Sequence, residues 1–228
     1  MSRAILILGM HRSGTSSLAG VLQEAGAYLG NVSEQNLHNR KGNRENLRIM
    51  DLHESLLKQN GGAWDNPPAS VVWSDRLRKE RDEIVKLLAC APVWGFKDPR
   101  SLLVLDGWLE VLPEVSFAGT FRHPSLVARS LFKRNHFPPQ KSFSLWCAYN
   151  SRLLRYQQQF GFPLISFDLA GRVYQAKLKE LIKILGLRSE NSASAFYDDT
   201  LRGDVDSSDD GVPDDVIELY KKLERSAL

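Results

Sequence analysis

The sequence has few cysteines and no strong excess of charge of either sign. Its 228 residues include only Cys90 and Cys147, both set among apolar neighbours, so disulfide bonds do not organise the fold. We expect both thiols to be reduced core residues. The formal net charge of +3 is compatible with an anionic ligand, but it is too small to indicate nucleic acid as a partner.

Long apolar runs are also missing. No stretch approaches the roughly 18 residues that span a membrane, and residues 4–8 are too short for the core of a signal peptide. The 16 glycines and 10 prolines are spread along the chain, which excludes collagen-like and disordered classes. We therefore expect a cytoplasmic globular protein without an integral membrane segment, in which residues 1–228 form a single domain.

Short β-type runs alternate with amphipathic helical runs along the chain. This alternation predicts an α/β fold, a three-layer sandwich in which helices flank a central, mostly parallel sheet. The predicted strands are residues 4–8, 93–97, 115–121 and 163–167. The predicted helices are residues 15–24, 45–60, 75–89, 101–111, 125–134, 141–160, 172–185 and 214–225.

Three segments have the composition of loops. Residues 203–213 are polar and acidic and predict a mobile loop before the C-terminal helix. Residues 30–44 and 61–74 are long connections for a compact domain, and such connections often carry function. We expect these two to form substrate walls.

A phosphate-binding loop is predicted directly after the first strand. Gly9 and Gly14 have the G-x-x-x-x-G spacing of a P-loop, in which backbone N–H groups and a helix N-terminus meet an anion. Four hydroxyls add hydrogen-bond donors, those of Ser13, Thr15, Ser16 and Ser17. The order of strand, loop and helix is the context that this motif requires.

The loop lacks the lysine of nucleoside triphosphatases. Thr15 stands where that lysine would follow the second glycine and reach the β and γ phosphates. Arg12 is the only cation in the loop. The sequence therefore predicts a phosphate cradle that is poorly suited to γ-phosphoryl transfer.

A second phosphate motif follows the third predicted strand. Arg122 comes directly after that strand, at the sheet edge where open α/β folds bind ligands. Pro124 is suited to begin the next helix, which brings Ser130 onto an early turn. A guanidinium and a hydroxyl that converge in this way suit one phosphate group.

These residues resemble the PAPS-dependent sulfotransferases, which use 3′-phosphoadenosine 5′-phosphosulfate. Residues 12–16, Arg-Ser-Gly-Thr-Ser, match the family's 5′-phosphosulfate loop, and Arg122 with Ser130, eight residues on, matches its 3′-phosphate motif. Weaker similarity to the bacterial and glycan-modifying branch covers residues 39–46, 94–100, 145–150 and 165–168. The resemblance implies a P-loop fold, PAPS as donor, PAP as product, no metal, and a small-molecule, glycan or lipid acceptor.

The chain departs from the cytosolic branch of that family at two places. Ser17 replaces the tryptophan that stacks on adenine there, and the C-terminal Arg-Lys-Gly loop is missing. Phe196, Tyr197 and Arg202 are candidate substitutes.

Sulfuryl transfer requires alignment, charge stabilisation and a base for the acceptor's proton. The resemblance implies that Arg12 and Lys97 contact the sulfuryl and bridging oxygens while Thr15 and Ser16 contact the 5′-phosphate. Three candidates for the base are ranked, in the order Glu45, Asp98 and His11. Glu45 comes first because it opens a predicted helix after the loop and because glycan-type members use a glutamate in this region.

Two other functions stay open from the sequence. A small-molecule kinase would use ATP and Mg²⁺, with Asp98 or Asp168 as the metal-binding carboxylate. A catalytically inactive nucleotide-binding module would act through partners. The sequence identifies neither the acceptor nor the oligomeric state, although several aromatic side chains are candidates for an acceptor pocket: Trp64, Trp73, Trp146, His136 and Phe137.

Overall fold

The computed structural model describes residues 2–33, 42–188 and 206–228. The strands are β1 (Arg3–Leu8), β2 (Val93–Lys97), β3 (Val115–Phe121) and β4 (Leu164–Ser166). The helices are α1 (Thr15–Glu24), α2 (Leu47–Gln59), α3 (Asp75–Leu88), α4 (Ser101–Leu109), α5 (Pro124–Asn135), α6 (Pro139–Phe160), α7 (Gly171–Ile184) and α8 (Asp214–Arg225). Within these parts of the chain, no helix is long and apolar enough to cross a bilayer.

The four strands form one parallel sheet in the order β2-β1-β3-β4. Ile7 of β1 pairs with Lys97 of β2, and Leu8 pairs with Gly119 of β3. The carboxyl ends of the strands therefore meet at one edge of the sheet, and the loop after β1 leaves from its interior. This edge is where open parallel sheets bind their ligands.

Side chains from β1 divide the apolar core into two layers. Leu6 and Leu8 pack into the larger layer with residues of α2, α3, α4, α5, α6 and α8. Ile5 and Ile7 face the opposite layer, with residues of α1 and α7. Successive side chains of a strand point to opposite faces, so a strand buried on both sides is apolar throughout. The predicted α/β architecture with a parallel sheet between helices is confirmed.

Two details differ from the sequence-based expectations. Helix α2 begins at Leu47 rather than Glu45, because the Asn46 side chain accepts hydrogen bonds from the backbone of Arg48 and Ile49 and so caps the helix. Both cysteines are free thiols, as expected. They are not core residues, because Cys90 is exposed and Cys147 is half-buried.

The described part of the predicted mobile loop, residues 206–213, contacts the start of α5. The Asp209 carboxylate lies 3.1 Å from Nε2 of His123, and the Ser208 backbone N–H donates to the Ser125 hydroxyl at 3.4 Å. This acidic segment therefore packs beside the carboxyl end of β3. Residues 203–205 lie outside the described residues.

Candidate active site

The loop after β1 passes very close to the ends of the neighbouring strands. Gly14 has φ of 81°, and a Cβ there would overlap the ring of Phe167, which follows β4. A Cβ on Gly9 would meet the carbonyl oxygen of Thr120 in β3. Both positions therefore require glycine, for a left-handed backbone at Gly14 and for close approach at both. The loop is fixed against β3 and the segment after β4.

The second half of the loop has the features of an anion site. Thr15 begins α1, so the helix N-terminus with its unpaired N–H groups faces the loop. The buried Ser13 hydroxyl has no hydrogen-bond partner within the described residues. The hydroxyl of Ser16 lies 3.4 Å from Nζ of Lys97, and Ser17 is half-buried on the same helical turn. The Ser16 hydroxyl donates to the carbonyl of Asn43 at 3.1 Å, so the buried Ser13 hydroxyl and the helix N–H groups are the donors that a phosphate would satisfy.

Arg12 connects the loop to α5. Its Nε donates to the Ser130 hydroxyl at 2.7 Å. Burial, followed by the positive charges of Arg134 and Arg122, lowers the pKa of Arg12 to about 10. The two motifs found in the sequence, 110 residues apart, thus meet through a side-chain hydrogen bond.

Arg122 lies between a carboxylate and an aromatic ring. Its Nε is 3.4 Å from Oδ1 of Asp168, and its guanidinium lies 5.4 Å from the centre of the Phe167 ring, which packs against Gly14 of the loop. Asp168 also accepts the backbone N–H of His123 at 2.6 Å, and burial raises the pKa of this carboxyl. Helix α5 begins at Pro124, as predicted. The described partner of the Ser130 hydroxyl is Arg12, not Arg122.

Lys97 and Glu45 form a buried ion pair beside the loop. Lys97 Nζ lies 2.8 Å from Oε1 of Glu45 and 3.4 Å from the Ser16 hydroxyl. The Lys97 side chain is 1% exposed and that of Glu45 is 10% exposed. The ammonium therefore lies between the candidate base and the candidate phosphate cradle.

Asp98, the second candidate base, is enclosed by donors. Its carboxylate accepts the backbone N–H and the guanidinium of Arg100 at 2.9–3.0 Å. It also lies 3.1 Å from Nδ1 of His53. The indole N–H of Trp108 donates to Nε2 of His53, so the His53 proton is on Nδ1 and points to Asp98. These donors and the nearby charges hold the pKa of Asp98 well below its usual range, even though burial opposes this.

His11, the third candidate, packs between aromatic rings. Its imidazole centre is 4.6 Å from the Trp64 ring and 5.7 Å from the Tyr149 ring. Burial, and then the charge of Arg100, lower its pKa well below the ordinary value. His11 is therefore neutral at pH 7, and it is a weak base.

Known structures share this arrangement of helices and strands. The sulfotransferase domain of the Synechococcus PCC 7002 olefin synthase is similar over 91% of this chain and 82% of its own, with a TM-score of 0.57 and 18% identity. The sulfotransferase domain of the curacin biosynthetic pathway covers 91% of this chain and 81% of its own, with a TM-score of 0.57 and 16% identity. The chain has the sulfotransferase fold. No protein-family model matches the sequence, and neither does any curated protein.

Within this sulfotransferase fold, one residue near the loop was missed from the sequence. Arg134 lies one helical turn after Ser130, and its guanidinium is 5.4 Å from the centre of the Trp64 ring. Its positive charge lowers the pKa of both Arg12 and His11. The four-residue spacing from Ser130 was the available signal, because such residues share a helix face.

Only some of the aromatic side chains that were candidates for an acceptor pocket lie together. Trp64 stacks on Phe137 at 5.9 Å between ring centres, next to His11. Trp73 and Trp146 instead belong to the buried core, and His136 is exposed. The candidate adenine contacts Phe196, Tyr197 and Arg202, and Asn39 of the weaker similarity, lie outside the described residues.

Proposed function

We propose that this protein transfers a sulfuryl group from PAPS to a hydroxyl or amine acceptor. The observation that carries this proposal is the hydrogen bond from Arg12 Nε to the Ser130 hydroxyl, because it joins the loop to the second phosphate motif. The Lys97–Glu45 pair at the same sheet edge supports it by adding a cation and a carboxylate beside the loop. The fold shared with two sulfotransferase domains agrees with this function.

The residues of the loop and of α5 suit the two phosphate groups of PAPS. Ser13, Gly14 and the first turn of α1, residues 15–17, would hold the 5′-phosphate at the helix N-terminus. Arg122 and Ser130 would hold the 3′-phosphate through charge-assisted and neutral hydrogen bonds. The donor itself supplies the sulfuryl group on a good leaving group, so alignment and electrostatics are the protein's main task.

Glu45 is the general base in this mechanism. It removes the acceptor's proton while the acceptor oxygen forms the new bond to sulfur and the bond from sulfur to the bridging oxygen of the 5′-phosphosulfate breaks. Protonation weakens the attraction of Glu45 for Lys97 at the moment when negative charge grows on the 5′-phosphate. Lys97 Nζ, 3.4 Å from the Ser16 hydroxyl, is close enough to the cradle to respond to that charge.

The other two candidate bases fit less well. Asp98 is enclosed by His53 and Arg100, and its lowered pKa makes it a poor proton acceptor. His11 is neutral and packed between rings, and its lowered pKa also makes it a weak base. Glu45, with one described cation partner and a partly exposed carboxylate, is the better choice.

A nucleotide-binding panel tests the proposal. The protein is titrated with PAP, ATP and GTP by calorimetry, with Mg²⁺ and with EDTA. We expect PAP to bind most tightly and EDTA to change neither its affinity nor turnover, because the loop has no lysine after Gly14 and sulfuryl transfer requires no metal. A strict Mg²⁺ requirement with ATP would instead identify a kinase.

Turnover separates the enzyme from an inactive nucleotide-binding module. Release of PAP from PAPS is followed across hydroxylated small molecules, glycans and lipids. We expect at least one acceptor class to be sulfated. Tight PAP binding without turnover on any class would favour the inactive module.

A further inference from the structure

The helix position of Arg134 and its contact with Trp64 place it near the first half of the phosphate loop. Ser130 and Arg134 lie on one face of α5, and the Ser130 hydroxyl accepts the hydrogen bond from Arg12. The Arg134 guanidinium lies 5.4 Å from the Trp64 ring, which in turn lies 4.6 Å from the imidazole of His11. The shared helix face and the Trp64 contact therefore both point to Arg12 and His11, which precede the second glycine.

Positive charge accumulates at this end of the loop. Arg134 and Arg122 both lower the pKa of Arg12, so two guanidinium charges act on a third in a partly buried site, and the Glu45 carboxylate acts on Arg134. Like charges repel one another in such a place, and an anion bound between them offsets this repulsion. The cluster therefore has the electrostatic character of an anion-binding site.

Arg134 differs from Lys97 and Arg122 in its partners. Lys97 is paired with Glu45, and Arg122 lies near Asp168. Arg134 Nε donates to the side chain of its neighbour Asn135 at 2.7 Å, and within residues 2–33, 42–188 and 206–228 no carboxylate lies at ion-pair distance from it. The two terminal nitrogens of its guanidinium thus have no carboxylate partner in that part of the chain.

We propose that Arg134 binds the sulfuryl group of the donor. The proposal rests on the proposed function, which gives the 5′-phosphate to the α1 end of the loop and leaves the sulfuryl oxygens toward the end with His11 and Arg12. A planar guanidinium donates two parallel hydrogen bonds and so matches two oxygens of one sulfuryl group. The Trp64 ring holds the guanidinium in a fixed plane, which orients the sulfur for in-line attack.

A comparison of PAPS with PAP tests this assignment, because PAP lacks only the sulfuryl group. Affinities of both are measured by calorimetry without acceptor, for wild type and Arg134→Gln. We expect the substitution to weaken PAPS binding by about 10- to 100-fold and to change PAP binding less than about twofold, since charged hydrogen bonds are lost to one ligand only. Arg134→Lys should recover part of the loss, because a lysine keeps the charge but not the two parallel donors.

Lys133→Gln is the matched control. Lys133 is exposed on the same turn of α5, so this variant loses the same charge outside the site and should bind PAPS and PAP as wild type does. A second variant, Trp64→Leu, should weaken PAPS selectively if the ring orients Arg134. Thermal melts of each variant show that the fold is intact.

The outcomes that overturn the assignment differ from those that overturn the function. An equal loss of PAPS and PAP affinity in Arg134→Gln would mean that Arg134 acts on the whole loop, and no loss for either ligand would remove it from the donor site. Either result leaves PAPS as the donor. Wild-type protein that fails to bind PAP would overturn the proposed function and this inference together.

Discussion

Lys97 and Asp98 are adjacent at the end of β2, yet they belong to two different regions of the molecule. Lys97 contacts Glu45 and Ser16 and so belongs to the phosphate loop. Asp98 contacts His53 of α2 and Arg100 at the start of α4, and none of its described hydrogen bonds reaches the loop. The alternation of side chains along an extended backbone separates the two.

The two regions differ in how many hydrogen bonds and ion pairs their carboxylates make and in how exposed they are. Asp98 accepts hydrogen bonds from the backbone and guanidinium of Arg100 and from His53, and its side chain is 1% exposed. Glu45 has one described ion-pair partner and keeps 10% of its side chain exposed. A carboxylate with all its acceptor positions occupied holds structure in place, whereas one with an open oxygen can accept a proton from a substrate. Two substitutions test this difference, and a third tests the second phosphate motif.

The largest expected effect is on stability, from Asp98→Asn. Removing this charge leaves the buried guanidinium of Arg100 without its buried carboxylate partner, so the unfolding free energy should fall by about 3–5 kcal/mol in urea titrations. Turnover per folded molecule, measured at low temperature, should stay within about tenfold of wild type. Because the pKa of Asp98 is lowered in the folded state, its contribution is present above the unfolded value near 3.9 and is lost as the pH falls below it.

Glu54→Gln is the control for that experiment. Glu54 contacts the same Arg100 at 2.8 Å, but its side chain is 56% exposed, so its loss should cost less than about 1 kcal/mol. If Asp98→Asn instead kept wild-type stability and lost about 100-fold in turnover, Asp98 would be the base.

The next effect is on catalysis, from Glu45→Gln. Loss of the general base should lower kcat by about 100-fold, while PAP affinity is not reduced. The variant leaves Lys97 without its carboxylate, so we expect a lower melting temperature that recovers when PAP supplies the missing negative charge. Steady-state kinetics, PAP calorimetry and melts with and without PAP measure these three effects.

Glu54→Gln is also the control for Glu45→Gln, because it removes the same charge from α2, and Glu54 has its ion pair with Arg100 rather than with Lys97. Normal turnover per folded molecule of Glu45→Gln, with reduced stability alone, would place Glu45 with Asp98 among the structural carboxylates.

The third effect, on nucleotide discrimination, concerns the second phosphate motif and is tested by Arg122→Ala. PAP affinity should fall by about 10- to 150-fold, since a charge-assisted contact to the 3′-phosphate is lost. AMP, whose single phosphate belongs to residues 9–16, should bind nearly as before. Calorimetry with both nucleotides measures this change in discrimination, and an equal loss for PAP and AMP would mean that Arg122 supports the fold through Asp168 and Phe167.

The sequence alone predicted the elements of this fold with small errors. Apolar runs that are buried on both faces identified β1 to β4, and the helical period identified all eight helices of the described residues. The start of α2 was placed two residues early, because the cap by Asn46 is a local hydrogen bond that charge and period do not reveal. The loop residues 9–16 and the Arg122 and Ser130 pair were recognised because their spacing is local in the chain.

The tertiary structure decided which of those residues face one another. Spacing gave no reason to pair Arg12 with Ser130, Lys97 with Glu45, or Asp98 with His53, since each pair is joined by packing across 45 or more residues. The four-residue spacing of Arg134 from Ser130 indicated a shared helix face, but its contact with Trp64 depends on tertiary packing. Periodicity and motifs are local properties that the sequence determines by itself, whereas the partners and burial that set the charge and reactivity of a side chain exist only once the sheet and helices have packed.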